Sequence, residues 1–315
     1  MTEKMKATRD GAGEGFMELA NQRDDIVVLS ADLATSTRAD KFEKVHPDRF
    51  INMGICEQDM IGTAVGFAMA GKVPFACSFS CFMLTRAYDQ IRVSLCYNNE
   101  NVKLIGSHSG ITVGPDGATA QYNEDIAIMR VLPNMKVIVP ADTHEAKKAV
   151  LASADIAGPV YIRVGRGPIP AVTFESDPFE FGKAKILREG SDVSIIACGI
   201  MVKDALDAAE ELKENGITAR VINLHTIKPL DEAALINAAK KTGAIVTAEE
   251  HQIYGGMGSA VAELLSVQFS VPIEMIGIKN VFGESGTPDE LKTKYDLTKE
   301  TIVDACKKAI ARKKK

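Results

Sequence analysis

The sequence predicts an α/β fold of two domains, each a mainly parallel sheet flanked by helices. Short β-branched runs such as Ile26–Ser30 alternate with amphipathic stretches along the whole chain. Strand-helix alternation of this kind is typical of a parallel sheet covered by helices on both faces. Residues 165–192 break the alternation with prolines and glycines, and a second alternating series follows them.

The break predicts a first domain at 1–170, a linker with an edge strand at 171–190, and a second domain at 191–315. The strands expected in the first domain are Ile26–Ser30, Val73–Cys77, Val102–Gly106, Lys136–Val139 and Val160–Val164. Those expected in the second are Val193–Cys198, Ala219–Asn223, Ala244–Ala248 and Ile273–Ile278. Helices are expected near 56–70, 82–97, 123–131, 143–154, 201–214, 231–241, 257–267 and 298–312.

Composition narrows the class of protein. With 46% hydrophobic and 25% charged residues, the 315-residue chain has the profile of a globular protein. A net charge of -5 argues against nucleic-acid binding as its main activity, and the longest apolar stretch is too short to span a bilayer. The six cysteines form no C-x-x-C pair or zinc pattern, so we expect free thiols, no metal ligands and a cytoplasmic location.

An acidic residue, Glu57, opens a helix that is otherwise small and apolar apart from Gln58 and Asp59. Glu57 lies in NMGICEQDMIGTAVGFAMAG, residues 52–71. A carboxylate at a helix N-terminus is stabilising by ~0.3–1 kcal/mol, which would be a structural reason for it. A carboxyl held among apolar side chains can also share a proton with a ring nitrogen, the chemistry that an aminopyrimidine cofactor requires.

Two further segments carry candidate ligand groups. Phe79 and Phe82 stand three residues apart at a strand-helix junction, where they either pack in the core or wall a slot for a flat heterocycle. His108 follows a predicted strand, and Asp116 lies in the glycine-rich loop after it. This loop lacks the GK[ST] ending of a P-loop, which leaves a flexible surface turn or a ligand-binding loop at a strand's carboxyl end. The segment EEHQIYGGMGSAV (249–261) lacks a dinucleotide fingerprint and predicts a tight helix entry.

In this order, the segments resemble the pyrimidine-binding and C-terminal domains of thiamine-diphosphate-dependent transketolases. The resemblance runs from KATRDGAGEGF and LSADLATSTRADKF through ICEQDM, RAYDQIR and GSHSGITVGPDGAT. It continues through NMKVIVPAD, YIRVGRG and INLHTIKPLD, so it covers essentially the whole chain. Each piece alone is weak evidence, but eight pieces in register are specific.

The resemblance implies roles for individual residues. Glu57 would hydrogen-bond the pyrimidine ring of thiamine diphosphate and activate the cofactor, with the aromatic side chains and one loop completing the ring's pocket. The residues implied for that pocket are Phe79, Phe82, Asp32 and Leu33. His108 would line the substrate channel as a second catalytic residue, and Asp116 would bind a donor hydroxyl. The groups implied for the sugar's terminal phosphate are Arg9, Ser36 and Arg166.

Two departures from the family pattern bear on function. The chain has nothing like the GDG…N segment that holds diphosphate and Mg²⁺ or Ca²⁺ in this family. We therefore expect an N-terminal, diphosphate-binding partner subunit in an α2β2 heterotetramer, with isolated chains inactive. Ala120 stands where many relatives have a histidine and others a glutamine. Because alanine offers no hydrogen bond to a sugar hydroxyl, deoxy, branched or sulfonated sugars become candidate substrates beside sugar phosphates.

Three other assignments share parts of the pattern. The β subunit of a 2-oxo acid dehydrogenase has this domain pair, but the GSHSGITVGPDG stretch and the Arg9/Arg166 pair favour transketolase. A deoxyxylulose-phosphate synthase would share RAYDQ but is normally one long chain. A non-catalytic paralogue acting as a scaffold would gain little from retaining a buried carboxyl at Glu57.

Overall fold

The computed structural model describes residues 5–313. Its strands are β1 (Ile26–Ser30), β2 (Phe50–Asn52), β3 (Val73–Phe79), β4 (Lys103–Ser107), β5 (Lys136–Ile138), β6 (Val160–Arg163), β7 (Lys185–Arg188), β8 (Val193–Ala197), β9 (Ala219–Asn223), β10 (Thr226–Lys228), β11 (Ile245–Gln252) and β12 (Ile273–Ile278). Its α-helices are α1 (Thr8–Gln22), α2 (Ala34–Thr37), α3 (Asp40–Val45), α4 (Glu57–Met69), α5 (Ser80–Arg86), α6 (Tyr88–Gln90), α7 (Asp125–Arg130), α8 (Thr143–Ser153), α9 (Met201–Glu214), α10 (Glu232–Thr242), α11 (Met257–Gln268), α12 (Pro288–Lys294) and α13 (Lys299–Ala311). Pro47–Arg49 and Ile111–Asp116 are 3₁₀ segments, and Ile91–Tyr97 is π-helical.

The first sheet has the strand order β10-β5-β6-β4-β3-β1-β2 within the described residues. Every neighbouring pair is parallel except β10 with β5. The inner strands are continuously buried, as expected for a parallel sheet with helices on both faces. On one face α1 packs tightly on α8, because a Cβ at Gly11 would lie only 2.1 Å from the carbonyl oxygen of Thr143.

The second sheet has the order β12-β11-β8-β9-β7 and is parallel apart from β7, which pairs antiparallel with β9 at one edge. Helices α9 and α13 cover one face with an apolar core of their own. Side chains of α10 and α11 belong instead to a core that continues into the first domain. Over residues 5–313, no helix combines the length and the apolar character needed to cross a membrane.

The two domains are joined by backbone and side-chain bonds as well as apolar contacts. β10 lies in the second half of the chain but pairs with β5 of the first sheet. Buried Glu145, at the start of α8, accepts hydrogen bonds from Ala141 N (2.7 Å) and from Asn223 Nδ2 (2.8 and 3.0 Å). Burial raises the pKa of Glu145 to about 7, although these donors favour its charged form.

The structure confirms the fold class, and it corrects the helix expected near 82–97. That segment forms α5, α6 and the π-helical Ile91–Tyr97, with an interruption at Ala87, whose φ is -110° and ψ is 20°. The sequence also did not predict α1, α2, α3, β2, β10 or α12. The two strands have three residues each, too few for period-2 alternation to register. The exact domain boundaries stay predictions.

Glu145→Gln should remove a pH-dependent loss of stability. The pKa of this carboxyl rises from 4.5 to about 7 on folding, so the folded chain binds the extra proton in that window. The contribution of the protonated Glu145 carboxyl to the free energy of unfolding is therefore complete below pH 4.5 and is lost as the pH rises towards 7. Glutamine does not ionise, and a rotated Asn223 amide can accept from it, since Asn223 Oδ1 has no partner among residues 5–313.

The measurement is the thermal midpoint of both chains between about pH 5 and 8, within the window set by these pKa values. The midpoint of the variant relative to wild type should rise with pH and then level off. A difference that stays constant across the window would contradict this assignment.

Candidate functional site

The candidate residues gather at the carboxyl edge of the first sheet. β1, β3, β4 and β6 run parallel, so the loops that follow them leave on the same side. Asp32, Phe79, His108 and Arg166 lie directly after these four strands or at their last residue. This is the edge where open α/β sheets bind ligands.

Glu57 is buried at the first residue of α4, where its side chain is 3% exposed. Both carboxylate oxygens accept from Nη1 of Arg86, at 3.0 and 3.1 Å. Gln58 Nε2 donates to the carbonyl oxygen of Arg86 and fixes the backbone beneath this contact. The sequence predicts an apolar environment for Glu57. The burial is confirmed, but the environment is not wholly apolar, because a guanidinium contacts the carboxylate.

Four planar groups form a continuous stack that ends at this ion pair. The His108 ring lies 3.7 Å from the Phe79 ring, and Phe79 lies 5.5 Å from Phe82, measured between centroids. The Arg86 guanidinium then lies 4.4 Å from the centroid of Phe82. The register of β3 with β4 places Phe79 opposite Ser107, which brings His108 beside the phenyl ring. The two phenylalanines therefore connect the carboxylate at Glu57 with the loop after β4.

Arginine side chains surround the other end of the stack. Arg9, in the first turn of α1, donates from Nη1 to the carbonyl oxygen of Ser36 at 2.8 Å. The same nitrogen lies 3.4 Å from Nε2 of His108. Burial, followed by the charges of Arg38 and Arg166, lowers the pKa of Arg9 from its usual value. Mutually repelling guanidinium groups in a partly buried site favour an anion between them.

The contacts of His108 define its protonation state. Because the guanidinium of Arg9 only donates, Nε2 of His108 must accept, and Nδ1–H is then left to donate to Ser107 Oγ at 2.9 Å. Burial and the charges of Arg9, Arg166 and Arg38 lower the pKa of His108 to about 3. The imidazole is therefore neutral near pH 7, and its Nε2 lone pair faces the arginine cluster.

Asp116 and Arg166 face each other across the loop after β4. Arg166 Nη1 donates to Asp116 Oδ1 at 3.1 Å and to the carbonyl oxygen of Val113 at 2.6 Å. Both side chains of the ion pair are about one-third exposed, at 36% and 35%. Part of the loop is not the flexible surface turn that the sequence left open, since Ile111–Val113 is buried and 3₁₀-helical and Gly114, where the segment kinks, is buried too. Pro115, Asp116, Ala118 and Thr119 are exposed.

The remaining predicted residues lie at the same edge with different contacts. Asp32 has φ of 57°, and its N–H donates to Asn52 Oδ1 at 3.1 Å, while Leu33 N–H donates to Ser30 Oγ at 3.2 Å. Ser36 enters the site through its carbonyl oxygen, which anchors Arg9. The resemblance implies that Ser36 binds the phosphate itself. The structure adds a contact between the Ser36 carbonyl oxygen and Arg9.

Sequence reasoning missed two arginines at the site. Arg86 is only the first residue of RAYDQIR in the family resemblance, although its position seven residues after Phe79 places it one α5 helix away. Arg38 forms an ion pair with Asp10 at 2.6 Å and contributes to the charge around His108. Both arginines lie in segments that carry the family resemblance, LSADLATSTRADKF and RAYDQIR, and this was the available signal. Among residues 5–313, no group of three or more His, Cys, Asp or Glu side chains is arranged to hold a metal ion.

Comparison with known families assigns both halves of the chain. Residues 4–171 match the family model described as the transketolase pyrimidine-binding domain, and residues 182–302 match the transketolase C-terminal domain. The chain belongs to the transketolase family. This family depends on thiamine diphosphate, as the resemblance implied.

Relatives of the same length show that the chain is of the split type. It is 45% identical to the 6-deoxy-6-sulfo-D-fructose transketolase subunit SqwH of Clostridium sp. (strain MSTE9), over 97% of this chain and 95% of the relative. It is 40% identical to a subunit of the apulose-4-phosphate transketolase of Phocaeicola vulgatus, over 98% of each chain. A solved split-gene transketolase, described as an inactive beta4 tetramer, superposes with a TM-score of 0.92 at 47% identity over 98% of this chain and 99% of that one. The chain is thus a small transketolase subunit, which acts with a partner subunit, and a dehydrogenase β subunit is not favoured.

Removing Arg86 should destabilise the chain only while Glu57 carries a carboxylate. We expect Arg86→Met to cost on the order of 1 kcal/mol of unfolding free energy, because a buried carboxylate loses its cation while the half-exposed guanidinium limits the effect. The same change in a Glu57→Gln background should cost clearly less. Denaturant unfolding of the four chains gives this coupling energy directly, and additive losses would exclude an energetic link between the two side chains.

Proposed function

We propose that this subunit and an N-terminal partner subunit transfer a two-carbon ketol unit from an anionic ketose to an aldose. The observation that carries the proposal is the stack from His108 to Arg86, which joins a buried carboxylate at one end to an arginine cluster at the other. The Glu57 carboxylate, which would contact the cofactor, and the arginine cluster, which would bind an anion, thereby lie on one continuous surface. Transketolase chemistry on an anionic sugar needs both.

The residues fit the pyrimidine half of thiamine diphosphate. Glu57 offers a buried carboxyl, and Phe79 and Phe82 offer parallel aromatic faces beside it. A cavity of about 390 Å³ borders Phe82 and Arg86 and extends to the loop that contains Thr119. Asp32 and Leu33, at the same sheet edge, are proposed to complete the ring pocket. When bound, the cofactor supplies the nucleophilic carbon and the electron sink of the reaction.

Glu57 would hold or release the proton that the pyrimidine ring nitrogen shares with it. Arg86 contacts both of its oxygens, so the ring nitrogen must share the carboxylate with this guanidinium. The two aromatic faces exclude water from that contact and hold a flat ring in plane. The role of this chain is thus to orient the ring and to exchange one proton at a carboxylate oxygen.

The arginine cluster would bind the charged end of the sugar. Arg9 Nε is buried and has no hydrogen-bond partner among residues 5–313, so a donor is available for an anionic oxygen. Arg166 offers a second guanidinium, and neutral His108 would accept from a sugar hydroxyl through Nε2 once Arg9 turns from this nitrogen to the anion. Ser36 supports Arg9 through its carbonyl oxygen. Asp116 would accept a donor hydroxyl once its ion pair with Arg166 is loosened.

The substrate class is proposed to extend beyond common sugar phosphates. Ala120 is buried, with 9% exposure, at the end of the loop that carries Asp116. A methyl group at this point supplies no hydrogen bond to a sugar hydroxyl. Two relatives of similar length are named for 6-deoxy-6-sulfo-D-fructose and for apulose 4-phosphate, and these names support an anionic sugar as substrate. The proposed class is an anionic ketose of deoxy, branched or sulfonated type.

The assembly is proposed to be an α2β2 heterotetramer in which the partner holds the diphosphate and Mg²⁺ or Ca²⁺. The equal length of this chain and the split-gene relatives supports a separate partner. A cytoplasmic location is part of the proposal, and it is supported by the six cysteines, all of which are free thiols.

The experiment is co-expression with the N-terminal partner subunit, followed by a coupled activity assay over a panel of ketoses. The panel contains xylulose 5-phosphate, a sulfonated 6-deoxy ketose, a branched ketose phosphate and unphosphorylated xylulose. We expect turnover of at least one anionic ketose by the complex and none by either subunit alone. Glu57→Gln should assemble normally yet lose nearly all turnover.

Two outcomes would count against the proposal. Wild-type rates in the Glu57→Gln complex would remove the carboxyl from the mechanism. Full activity on xylulose 5-phosphate alone would leave the enzyme class intact but reject the extended substrate class.

Arg166→Ala should raise the Michaelis constant for anionic donors on the order of 10-fold, because a charge-assisted hydrogen bond contributes ~1.5–3 kcal/mol. Arg166→Lys is the matched control, since it keeps the charge without the fork of donors and should lose less. An equal rise in the Michaelis constant for unphosphorylated xylulose would show that Arg166 does not recognise the anionic group.

A further inference from the structure

The loop with His108 and Asp116 is anchored by the second domain, which sequence reasoning left without a chemical role. Its anchor is Glu250, a buried residue of β11. Glu250 Oε1 accepts from Thr112 N at 2.7 Å, midway along the loop. This hydrogen bond joins the two domains. It lies between buried His108 and exposed Asp116 along the loop.

A buried ion network fixes Glu250 itself. Arg163, the last residue of β6, donates from Nη2 to the carbonyl oxygen of Glu250 at 2.8 Å, and its Nη1 lies 3.6 Å from Glu250 Oε2. Arg163 Nε donates to Asp125 Oδ2 at 2.8 Å. All three charged side chains are buried, and burial raises the pKa of Glu250 while Arg163 opposes that rise. A carboxylate held from two sides has little freedom to move.

The loop backbone is shaped to admit this carboxylate. Gly110 has φ of +84°, a left-handed conformation that side chains disfavour. A Cβ at Gly110 would lie 2.2 Å from the carboxyl carbon of Glu250. Glu250 therefore fills the space that the missing side chain leaves, two residues after His108 and two before Thr112.

Other bonds from the second domain reinforce the same loop. Gln121 Nε2 donates to the carbonyl oxygens of Gly114 (3.1 Å) and Glu284 (2.8 Å), and so ties the 3₁₀ segment to the second domain. Gln252 N donates to the carbonyl oxygen of Asn123 at 2.8 Å. The loop is therefore bonded to the second domain at its centre and just beyond its end.

We propose that Glu250 is a positioning residue of the transferase reaction, which sets donor affinity by holding the loop that carries His108 and Asp116. The inference deepens the proposed function and rests on it. Glu250 acts through the Thr112 amide and the space at Gly110, and it touches no substrate. The second domain thereby determines where the hydroxyl-binding carboxylate and the neutral imidazole stand.

The test compares two buried carboxylates that both bridge the domains. Glu250→Ala removes the loop anchor, and Glu145→Ala removes a bridge of the same kind at α8, where it contacts Ala141 and Asn223. Both variants are assembled with the partner subunit and assayed with the anionic donor that wild type prefers. We expect Glu250→Ala to raise the donor Michaelis constant roughly 10-fold while cofactor affinity stays within about twofold, since small displacements of positioning groups carry costs of this size. Glu145→Ala should lower the melting temperature but leave the donor Michaelis constant unchanged.

A second variant, Glu250→Gln, tests the proposal if Glu250→Ala does not fold. Glu250→Gln keeps an acceptor for Thr112 N but loses the charge opposite Arg163, so we expect a rise of about threefold in the same constant, smaller than for alanine. An unchanged donor constant in whichever Glu250 variant folds overturns the proposal. Equal effects of the Glu145 and Glu250 substitutions would overturn it too, since both would then act through domain packing alone.

A readout without turnover separates this inference from the proposed function. Amide hydrogen exchange of the isolated chain should accelerate at Thr112 and along 108–117 in Glu250→Ala, and it should not in Glu145→Ala. If wild-type complex transfers no ketol unit but this exchange pattern is found, the proposed function fails while the loop anchor stands. Unchanged exchange at Thr112 rejects the anchor whatever the activity.

Discussion

The parallel pairing of β1, β3, β4 and β6 is the constraint on which the rest of this structure depends. Parallel strands release their following loops at one edge, so Asp116 and Arg166, 50 positions apart in the chain, form an ion pair there. The pairing of Phe79 with Ser107 is the local form of that constraint, because it places the imidazole of His108 against a phenyl ring. A one-residue slip in this register would turn the aromatic wall away from Glu57.

Charge is distributed unevenly along the resulting surface. At one end a single guanidinium, from Arg86, meets the buried carboxylate of Glu57. At the other, burial and then the charges of Arg9, Arg166 and Arg38 lower the pKa of His108 and keep it neutral, and a buried donor on Arg9 has no partner among the described residues. The aromatic rings between them carry no charge and keep the two ends apart. One end thus suits a ring that exchanges a proton, and the other suits a permanent anion.

The second domain contacts the strands and the loop that carry this surface. Its apolar core runs on into the first domain, β10 extends the first sheet, and Glu250 reaches the loop after β4. The two domains are therefore bonded to each other at the site as well as packed together.

The sequence by itself determined the alternation of strands and helices, and with it the fold class and the edge where ligand groups would lie. It also singled out Glu57, Phe79, Phe82 and His108 as candidate site residues and, through the family resemblance, Arg9 and Arg166; their roles stay predictions. Tertiary structure alone decided which of them touch. The Arg86–Glu57 ion pair, the neutral state of His108 and the contact of Glu250 with Thr112 each join distant segments. No local pattern encodes such contacts, since they depend on strand register and on burial, which only the folded chain establishes.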